Sequence, residues 1–260
     1  AERAGREIGT MQVIEKIARV ASPIIGGIVA SLWSPQATII LAAILFMFSA
    51  LPLFASVEPT TTKVKLRVSG FPWRLGLPSI ISQSVVGVDY VVSGMVWTLF
   101  ITVFLFAGLH ENIYIALGGL ASLGVAVSMV AAWVFGRLVD RHKGDVLLTL
   151  GIIGNTITHL FRPFTATTTG VMGVSVANET ATSAYSLAFT RVLFDIADSS
   201  GFRITYLMFA EIMLAFGAAL ACGLMYVAMA LLGDKNGMIG VFIFTAFYEL
   251  IMLVCRRAAR

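Results

Sequence analysis

Two carboxylates, Asp89 and Glu179, stand in stretches of sequence that otherwise carry no charge, QSVVGVDYVVSG and SVANETATSAY. An ionised carboxylate is costly in apolar surroundings, so such a group takes up a proton, pairs with a cation or is held by hydrogen bonds. These residues therefore suggest proton binding or contact with a cationic solute, with a structural acid as the alternative for each. Tyr90, Gln83 and Asn178 are polar neighbours in sequence and candidates for the same site.

The elements that must position these residues are long and apolar. Of the 260 residues, 58% are hydrophobic and 12% are charged, whereas soluble domains carry about 25% charged residues. Such a chain cannot cover itself with polar side chains. This predicts an all-α integral membrane protein, because lipid offers no partner for an unpaired backbone group. The net charge of +4 fits basic cytoplasmic loops better than a nucleic-acid partner.

At about 20 apolar residues per crossing, the sequence predicts eight transmembrane helices. The longest polar stretch, 57–76, predicts a cytoplasmic linker between an N-terminal part, 1–56, and a C-terminal part, 77–260. The chain begins without Met in a charged stretch that leads into an apolar one, and we therefore expect it to be the later part of a longer protein. The predicted crossings are 9–33, 36–56, 77–106, 112–135, 146–163, 166–193, 204–232 and 236–255.

Lysine and arginine predict the orientation in the membrane. Alternate loops hold fourteen of these residues on one side and two, Arg162 and Lys235, on the other. Basic residues favour the cytoplasmic side, so the loop 136–145 and the C-terminus are predicted to be cytoplasmic. The fourteen are Arg3, Arg6, Lys63, Lys65, Arg67, Arg74, Arg137, Arg141, Lys143, Arg191, Arg203, Arg256, Arg257 and Arg260.

Other classes of function lack their signatures in the sequence. The two cysteines lie in apolar runs and the three histidines are scattered, so no metal site is predicted. A glycine-rich phosphate loop with lysine and a convergent set of nucleophile and base are absent as well, so the sequence predicts neither a cofactor nor an enzyme. A membrane-embedded enzyme and a non-transporting scaffold stay open as alternatives.

The sequence contains an internal repeat with a shift of 196 residues. The stretch GREIGTMQVIEKIARVASPIIGGIVA aligns with GFRITYLMFAEIMLAFGAALACGLMY, so that Glu15 meets Glu211. Parallel repeats occur in transporters that are built from two six-helix halves. The repeat thus predicts that 77–255 is one complete half and that 9–56 is the last third of the other.

The charged loop GRLVDRHKGD resembles the cytoplasmic signature of the major facilitator superfamily, G-x-L-a-D-r-x-G-r-r. Gly136, Asp140 and Arg141 match it, whereas the second glycine is displaced to Gly144 and the following basic pair is missing. In that family the signature lies between helices 2 and 3 and, more loosely, between helices 8 and 9. The resemblance therefore implies that the predicted crossings are helices 5–12 of a two-times-six-helix fold.

The same resemblance implies a conformational latch on the cytoplasmic side. There Asp140 is expected to face arginines and the positive end of a helix, the alternative being a solvated turn that only sets orientation. Glu15 can pair with Arg19 one turn later, and this pair and Glu211 are expected to act in packing or gating. The expected arginine partners of Asp140 are Arg137, Arg141, Arg191 and Arg203.

The first predicted crossing resembles the helix-5 motif of the exporters in this family, G-x8-G-x3-G-P-x2-G-G. Small residues allow helices to approach closely in a membrane, and a proline can kink a helix. Such a face suits one half of a transporter rocking on the other, with generic packing as the alternative. The matching positions are Gly9, Ala18, Ser22, Pro23, Gly26 and Gly27.

These resemblances imply a secondary active transporter in the inner cell membrane that moves a small solute by alternating access. The exporter-like motif favours proton-coupled efflux, and an uptake symporter of the same fold is the alternative. The expected partners are the small-molecule solute, protons, the lipid bilayer and about four further helices of the same protein.

Overall fold

Long apolar stretches with few interior turn residues favour helices, and a computed structural model of the chain contains eight of them. It describes residues 2–55, 66–106, 108, 112–140 and 144–253, with the backbone alone for 2–13, 53, 55, 139 and 140. Every regular element in this part of the chain is helical. The helices are α1 Glu2–Leu32, α2 Pro35–Ala55, α3 Trp73–Leu105, α4 Ile113–Asp140, α5 Gly144–Phe161, α6 Thr168–Ser199, α7 Arg203–Leu232 and α8 Asp234–Glu249.

Six of these helices, namely α2, α3, α4, α5, α7 and α8, are long and apolar enough to cross a membrane. Many of their large apolar side chains face outward, as Phe54, Tyr226 and Leu231 do with 87%, 78% and 77% of their surface exposed. Lipid can cover such side chains. The helices therefore fit a multi-pass membrane protein. Crossings by α1, with its charged residues, and by α6, with its many Thr and Ser residues, stay predictions.

Helix α3 begins earlier than the sequence predicted. Its first residue is Trp73, so the last four residues of the predicted linker 57–76 are helical and Pro78 lies inside the helix. The backbone carbonyl of Pro72 accepts from the N–H groups of Leu75, at 3.0 Å, and Gly76, at 3.2 Å, which starts the helix. Pro78 carries no N–H, so the helical hydrogen bond that residue 78 would donate to the carbonyl of Arg74 is missing.

Aromatic packing explains why the chain is ordered just before α3. The ring of Phe71 lies 4.8 Å from that of Trp73 and 5.5 Å from that of Phe209 on α7, centroid to centroid. The hydroxyl of Thr205 donates to the backbone carbonyl of Arg67 over 2.7 Å. Aromatic pairs of this kind stabilise beyond the area that they remove from water. They fix the entry into α3 against the first turns of α7.

Two π-helical segments, Val92–Val96 and Ile101–Leu105, interrupt the α-helical geometry of α3. The first begins three residues after Asp89 and contains Ser93. A π-helical turn re-aims the side chains that follow it, and such turns are frequent at functional sites. Asp89 and Ser93 are four residues apart, so their side chains are neighbours on the helix.

The chain forms two compact units by contact, residues 1–65 with 108–125 and residues 66–107 with 126–260. In the first unit, Gly27 of α1 lies against the backbone of Tyr114 and Gly118 of α4, and Gly118 lies against the carbonyl of Pro23. A side chain at either glycine would collide with the opposing backbone. This close approach fits the packing role predicted for the small residues of α1. The predicted boundary falls largely on 57–65, outside the described residues.

In the second unit, α3 and α7 interlock through glycines. A methyl group at Gly217 would collide with the backbone of Ser84, and one at Gly87 would collide with the backbone of Leu214 and Ala218. Because the obstacle is backbone in each case, a larger residue forces the two helices apart. The contact holds α3, and therefore Asp89, in a fixed position.

Gly217→Ala is expected to destabilise the protein by about 1–3 kcal/mol, the usual cost of overpacking. Gly223→Ala is the matched control, because it lies on the same helix and nothing lies within 4 Å of the added methyl group. The free energies of unfolding of both variants can be compared by denaturant titration in detergent micelles. Equal stability of the two variants would contradict the interlocked packing of α3 and α7.

Candidate functional site

A cluster of four ionisable side chains lies inside the second unit, and we call it the buried charge cluster. It consists of Asp89 on α3, His159 on α5, Arg162 in the short 3-10 helix Arg162–Phe164 that follows α5, and Glu249 on α8. Their exposed fractions are 3%, 0%, 0% and 2%, in that order. Charges are expensive to bury unless they are paired and hydrogen-bonded. The partners of each group therefore determine what the cluster can do.

His159 connects the other three members. Its Nε2 lies 3.1 Å from Asp89 Oδ1 and 2.9 Å from Glu249 Oε1, and its Nδ1 lies 2.8 Å from Arg162 Nη1. One imidazole ring thus contacts two carboxylates through one nitrogen and a guanidinium through the other. This arrangement joins α3, the end of α5 and α8 in one hydrogen-bonded network.

The contact with Arg162 determines which ring nitrogen of His159 carries the proton. A guanidinium only donates hydrogen bonds, so Nδ1 must accept and carries no hydrogen. A neutral ring then has its hydrogen on Nε2, directed at the two carboxylates. A doubly protonated ring would set two N–H groups against each other across 2.8 Å. His159 is therefore neutral in this arrangement.

Arg162 supplies the positive charge of the cluster. Its Nη2 donates to Asn178 Oδ1 over 2.7 Å and to Ser93 Oγ over 3.0 Å. Its guanidinium carbon lies 5.2 Å from the ring centre of Trp97 and 5.5 Å from that of Phe242, distances at which an aromatic face attracts a cation. Nε of Arg162 is buried and has no hydrogen-bond partner. Arg162 thus links α3 and α6 to His159.

Asp89 is the better satisfied of the two carboxylates. Its Oδ1 accepts from Ser93 Oγ over 2.6 Å as well as facing His159, and its Oδ2 accepts a short hydrogen bond from the hydroxyl of Tyr185. Three donors on one carboxylate favour its ionised form. Ser93 is itself aimed by Arg162, so the positive charge acts on Asp89 through one hydroxyl.

Glu249 has weaker partners. Its Oε1 accepts from Asn155 Nδ2 over 2.6 Å and faces His159, whereas its Oε2 has only the hydroxyl of Thr156, at 3.3 Å. Asn155 in turn accepts from Thr182 on α6 at 3.5 Å. The outer oxygen of Glu249 is therefore the least satisfied carboxylate oxygen of the cluster.

Close packing of α5 on α6 holds these polar groups in register. A methyl group at Gly151 would collide with the backbone of Tyr185, so only glycine allows the two helices to approach this far. The helices meet where Asn155 and Tyr185 reach the cluster. Thr167 begins α6 by accepting from the N–H of Gly170 over 3.1 Å, an N-cap of the preferred residue type.

The structure sorts the residues that the sequence predicted for the site. Asp89 belongs to the cluster, and Asn178 binds its arginine. Glu179 follows Asn178 and is half-buried, whereas Gln83 is buried earlier on α3. Tyr90 is 78% exposed and points away from the cluster.

Sequence reasoning missed three members of the cluster. Arg162 was predicted in the turn between two crossings, and it lies in the 3-10 turn between α5 and α6, but its full burial was not predicted. His159 was read as scattered, although Asn155, His159 and Arg162 follow one face of the chain at helical spacing. Glu249, a lone charge in FTAFYELIML, carries the same signal as Asp89.

The latch candidates Arg191, Arg203 and Glu211 are not members of this cluster. Arg191 lies 3.8 Å from Asp195 and Arg203 lies 2.9 Å from Asp198, both in exposed pairs, and Glu211 is exposed. The side chain of Asp140 and all of Arg141 fall outside the described residues, so the latch stays a prediction. Gly136, on α4, has open space around it.

The gating candidates on α1 form an exposed ion pair, and the small residues of the helix-5 motif differ in their exposure. Glu15 and Arg19 form an ion pair across 2.9 Å, and both are exposed. Ala18 and Ser22 are exposed as well, whereas Gly26 accepts at its carbonyl from Thr38 of α2 over 3.3 Å. Of Gly9, only the backbone position in α1 is described.

The buried charge cluster offers three potential metal ligands, since one ligand atom each from Asp89, His159 and Glu249 lie within 4.8 Å of one another. A cation on His159 Nε2 would move the ring proton to Nδ1, where Arg162 already donates. The donor set therefore suits a proton better than a metal ion.

Comparison of the chain with family models, curated proteins and solved structures finds no match.

Proposed function

We propose that the protein is a secondary active transporter of the major facilitator type, which moves a small solute by alternating access and couples this movement to protons. The observation that carries the proposal is the buried charge cluster, because ionisable groups among membrane helices mark ion or substrate pathways by default. Export is the direction that the small-residue motif of α1 favours.

Charge changes in the cluster provide a physical reason for coupling. Four elements, α3, α6, α8 and the end of α5, are joined by hydrogen bonds whose strength depends on charge. Gain or loss of one proton changes the attraction between Arg162 and the carboxyl groups on α3 and α8. A ligand shifts a conformational equilibrium when it interacts differently with the two states, and a proton bound here meets that condition.

The proposed topology places all eight helices across the inner cell membrane as helices 5–12, with further helices of the same protein completing the solute pathway. The loop 136–145 and the C-terminus lie in the cytoplasm. In this topology Arg162, in the turn after α5, and Lys235 lie on the opposite side of the membrane.

Cysteine labelling tests this topology. After Cys222 and Cys255 are replaced, cysteines introduced at Lys143 and Arg260 are expected to resist a membrane-impermeant reagent in sealed cells. Both should react once the cells are permeabilised. Lys235→Cys is the control for the opposite side, since Lys235 is exposed in the first turn of α8, and it should react in sealed cells. Labelling of 143 or 260 before permeabilisation would reverse the orientation.

Reconstitution tests the function itself. The complete protein is placed in liposomes that contain a trapped pH-sensitive dye, and a lipophilic cation, a lipophilic weak acid and a neutral amphipath are added in turn. We expect at least one of them to produce proton movement that requires the protein, and an imposed pH gradient to drive its uptake against its concentration gradient. A solute that crosses only down its own gradient would contradict proton coupling.

A further inference from the structure

The charges of the buried cluster do not balance. The charged and titratable groups that face it are Asp89 on α3, His159 on α5, Arg162 after α5, Glu179 and Tyr185 on α6, and Glu249 on α8. Glu211 of α7 is exposed. With His159 neutral, the fully buried groups are one guanidinium and two carboxylates, since Glu179 is only half-buried. A buried excess charge is strongly unfavourable, so the stable cluster holds one further proton.

That proton cannot lie on His159 while Arg162 donates to Nδ1. The ring already carries a hydrogen on Nε2, and its other nitrogen is occupied as an acceptor across 2.8 Å. The additional proton must therefore lie on a carboxyl group. Tyr185 ordinarily carries its own hydroxyl hydrogen, which it donates to Asp89.

The hydrogen bonds distinguish the two carboxyl groups. Asp89 accepts from Ser93 on one oxygen and from Tyr185 on the other, and both donors favour the ionised form. Glu249 has an outer oxygen whose one hydrogen bond, to Thr156, is long at 3.3 Å. A hydroxyl such as that of Thr156 can accept as well as donate, so it can receive a hydrogen bond from a protonated Glu249.

We infer that Glu249 carries the exchangeable proton of the cluster, while Asp89 stays ionised and His159 stays neutral between them with its hydrogen on Nε2. This rests on the proposed function in one respect, that the proton exchanged is the one used for coupling. Protonation forms an O–H bond at Glu249 Oε2 from a proton of the solvent, and deprotonation returns it, with no other bond changed. Arg162 is the positioning residue that keeps His159 from taking this proton.

Infrared spectroscopy of the purified complete protein tests the assignment directly. A protonated carboxyl group gives a C=O stretching band separate from those of carboxylates and amides. Protein synthesised with glutamate that carries a heavy carbon isotope in its side-chain carboxyl is expected to shift a band present at neutral pH. Equivalent labelling of aspartate should leave it in place, and Glu249→Gln should remove it.

Nitrogen NMR of histidine labelled with the heavy nitrogen isotope tests whether His159 is neutral with its hydrogen on Nε2. One ring, lost in His159→Gln, is expected to show a protonated Nε2 and an unprotonated Nδ1 at neutral pH. In Arg162→Lys the Nδ1 position loses its fixed donor, so we expect that ring to become doubly protonated more readily as the pH falls. A doubly protonated His159 in the wild-type protein at neutral pH would overturn the inference.

Controls separate this inference from the proposed function. Glu211→Gln is the matched substitution at an exposed acid and should leave the infrared band unchanged. A band that shifts with labelled aspartate, or is absent at neutral pH, overturns the assignment to Glu249 even if transport is proton-driven. A band that shifts as expected in a protein without proton-driven transport supports the assignment and rejects the function.

Discussion

Arg162→Met is expected to destabilise the protein more than any other single substitution in the buried charge cluster. Removing one partner of a buried ion pair typically costs about 3–5 kcal/mol, and the guanidinium of Arg162 offsets the ionised Asp89, which it reaches through Ser93. The substitution also leaves His159 Nδ1 and Asn178 Oδ1 without the donor that holds them. The free energy of unfolding can be measured by denaturant titration in mixed micelles, with the yield of folded protein in membranes as a second reading.

A matched arginine shows whether this loss is specific to burial. Arg203 forms an exposed ion pair with Asp198 across 2.9 Å, and exposed pairs contribute only about 0–1 kcal/mol. Arg203→Met should therefore change stability little. If Arg162→Met proves no more harmful than Arg203→Met, the charge cluster does not stabilise the fold as its geometry implies.

Charge compensation gives a second, independent test of the same prediction. When Asp89→Asn and Glu249→Gln are added to Arg162→Met, none of these three positions carries a charge. We expect the triple variant to recover much of the lost stability, because the stability effects of substitutions at interacting residues are not additive. If the triple variant does not regain stability, the loss comes from the packing of the arginine between Trp97 and Phe242 and not from its charge.

The helices could be predicted from the sequence because their signal is local. Apolar runs bounded by short polar turns indicate α2, α3, α4, α5, α7 and α8 directly. The start of α3 could not be predicted, because Phe71 and Trp73 are held by Phe209, which lies far along the chain. Such a contact leaves no mark in the local composition.

The site could be predicted only in part for a related reason. Asp89 was found because a lone carboxylate in an apolar run is conspicuous. Arg162 was not, because a cation next to a proline at the end of an apolar run reads as a loop residue. Its burial depends on acceptors from two other helices, Asn178 and Ser93, and on the acids beyond them. A charge network is a property of several elements at once.

Asp89→Asn is expected to abolish solute movement driven by a pH gradient and to leave exchange of solute across the membrane intact. Asparagine has nearly the shape of the aspartic acid but cannot ionise. Arg162 then has only Glu249 to balance it, so Glu249 stays ionised and the cluster has no proton to exchange. Exchange persists because it needs the two access states but no net movement of protons.

The same charge balance predicts that Glu249→Gln behaves like Asp89→Asn, because Arg162 then has only Asp89 to balance it and Asp89 stays ionised. In liposomes, gradient-driven and exchange fluxes of one transported solute are compared for wild type and each variant, with Glu179→Gln as a matched acid-to-amide substitution at a half-buried position. If that solute is a cation bound by Glu179, Glu179→Gln lowers both the gradient-driven flux and the exchange flux. Loss of proton coupling lowers only the gradient-driven flux. Wild-type gradient-driven flux in Asp89→Asn would show that the cluster is structural and that protons couple elsewhere.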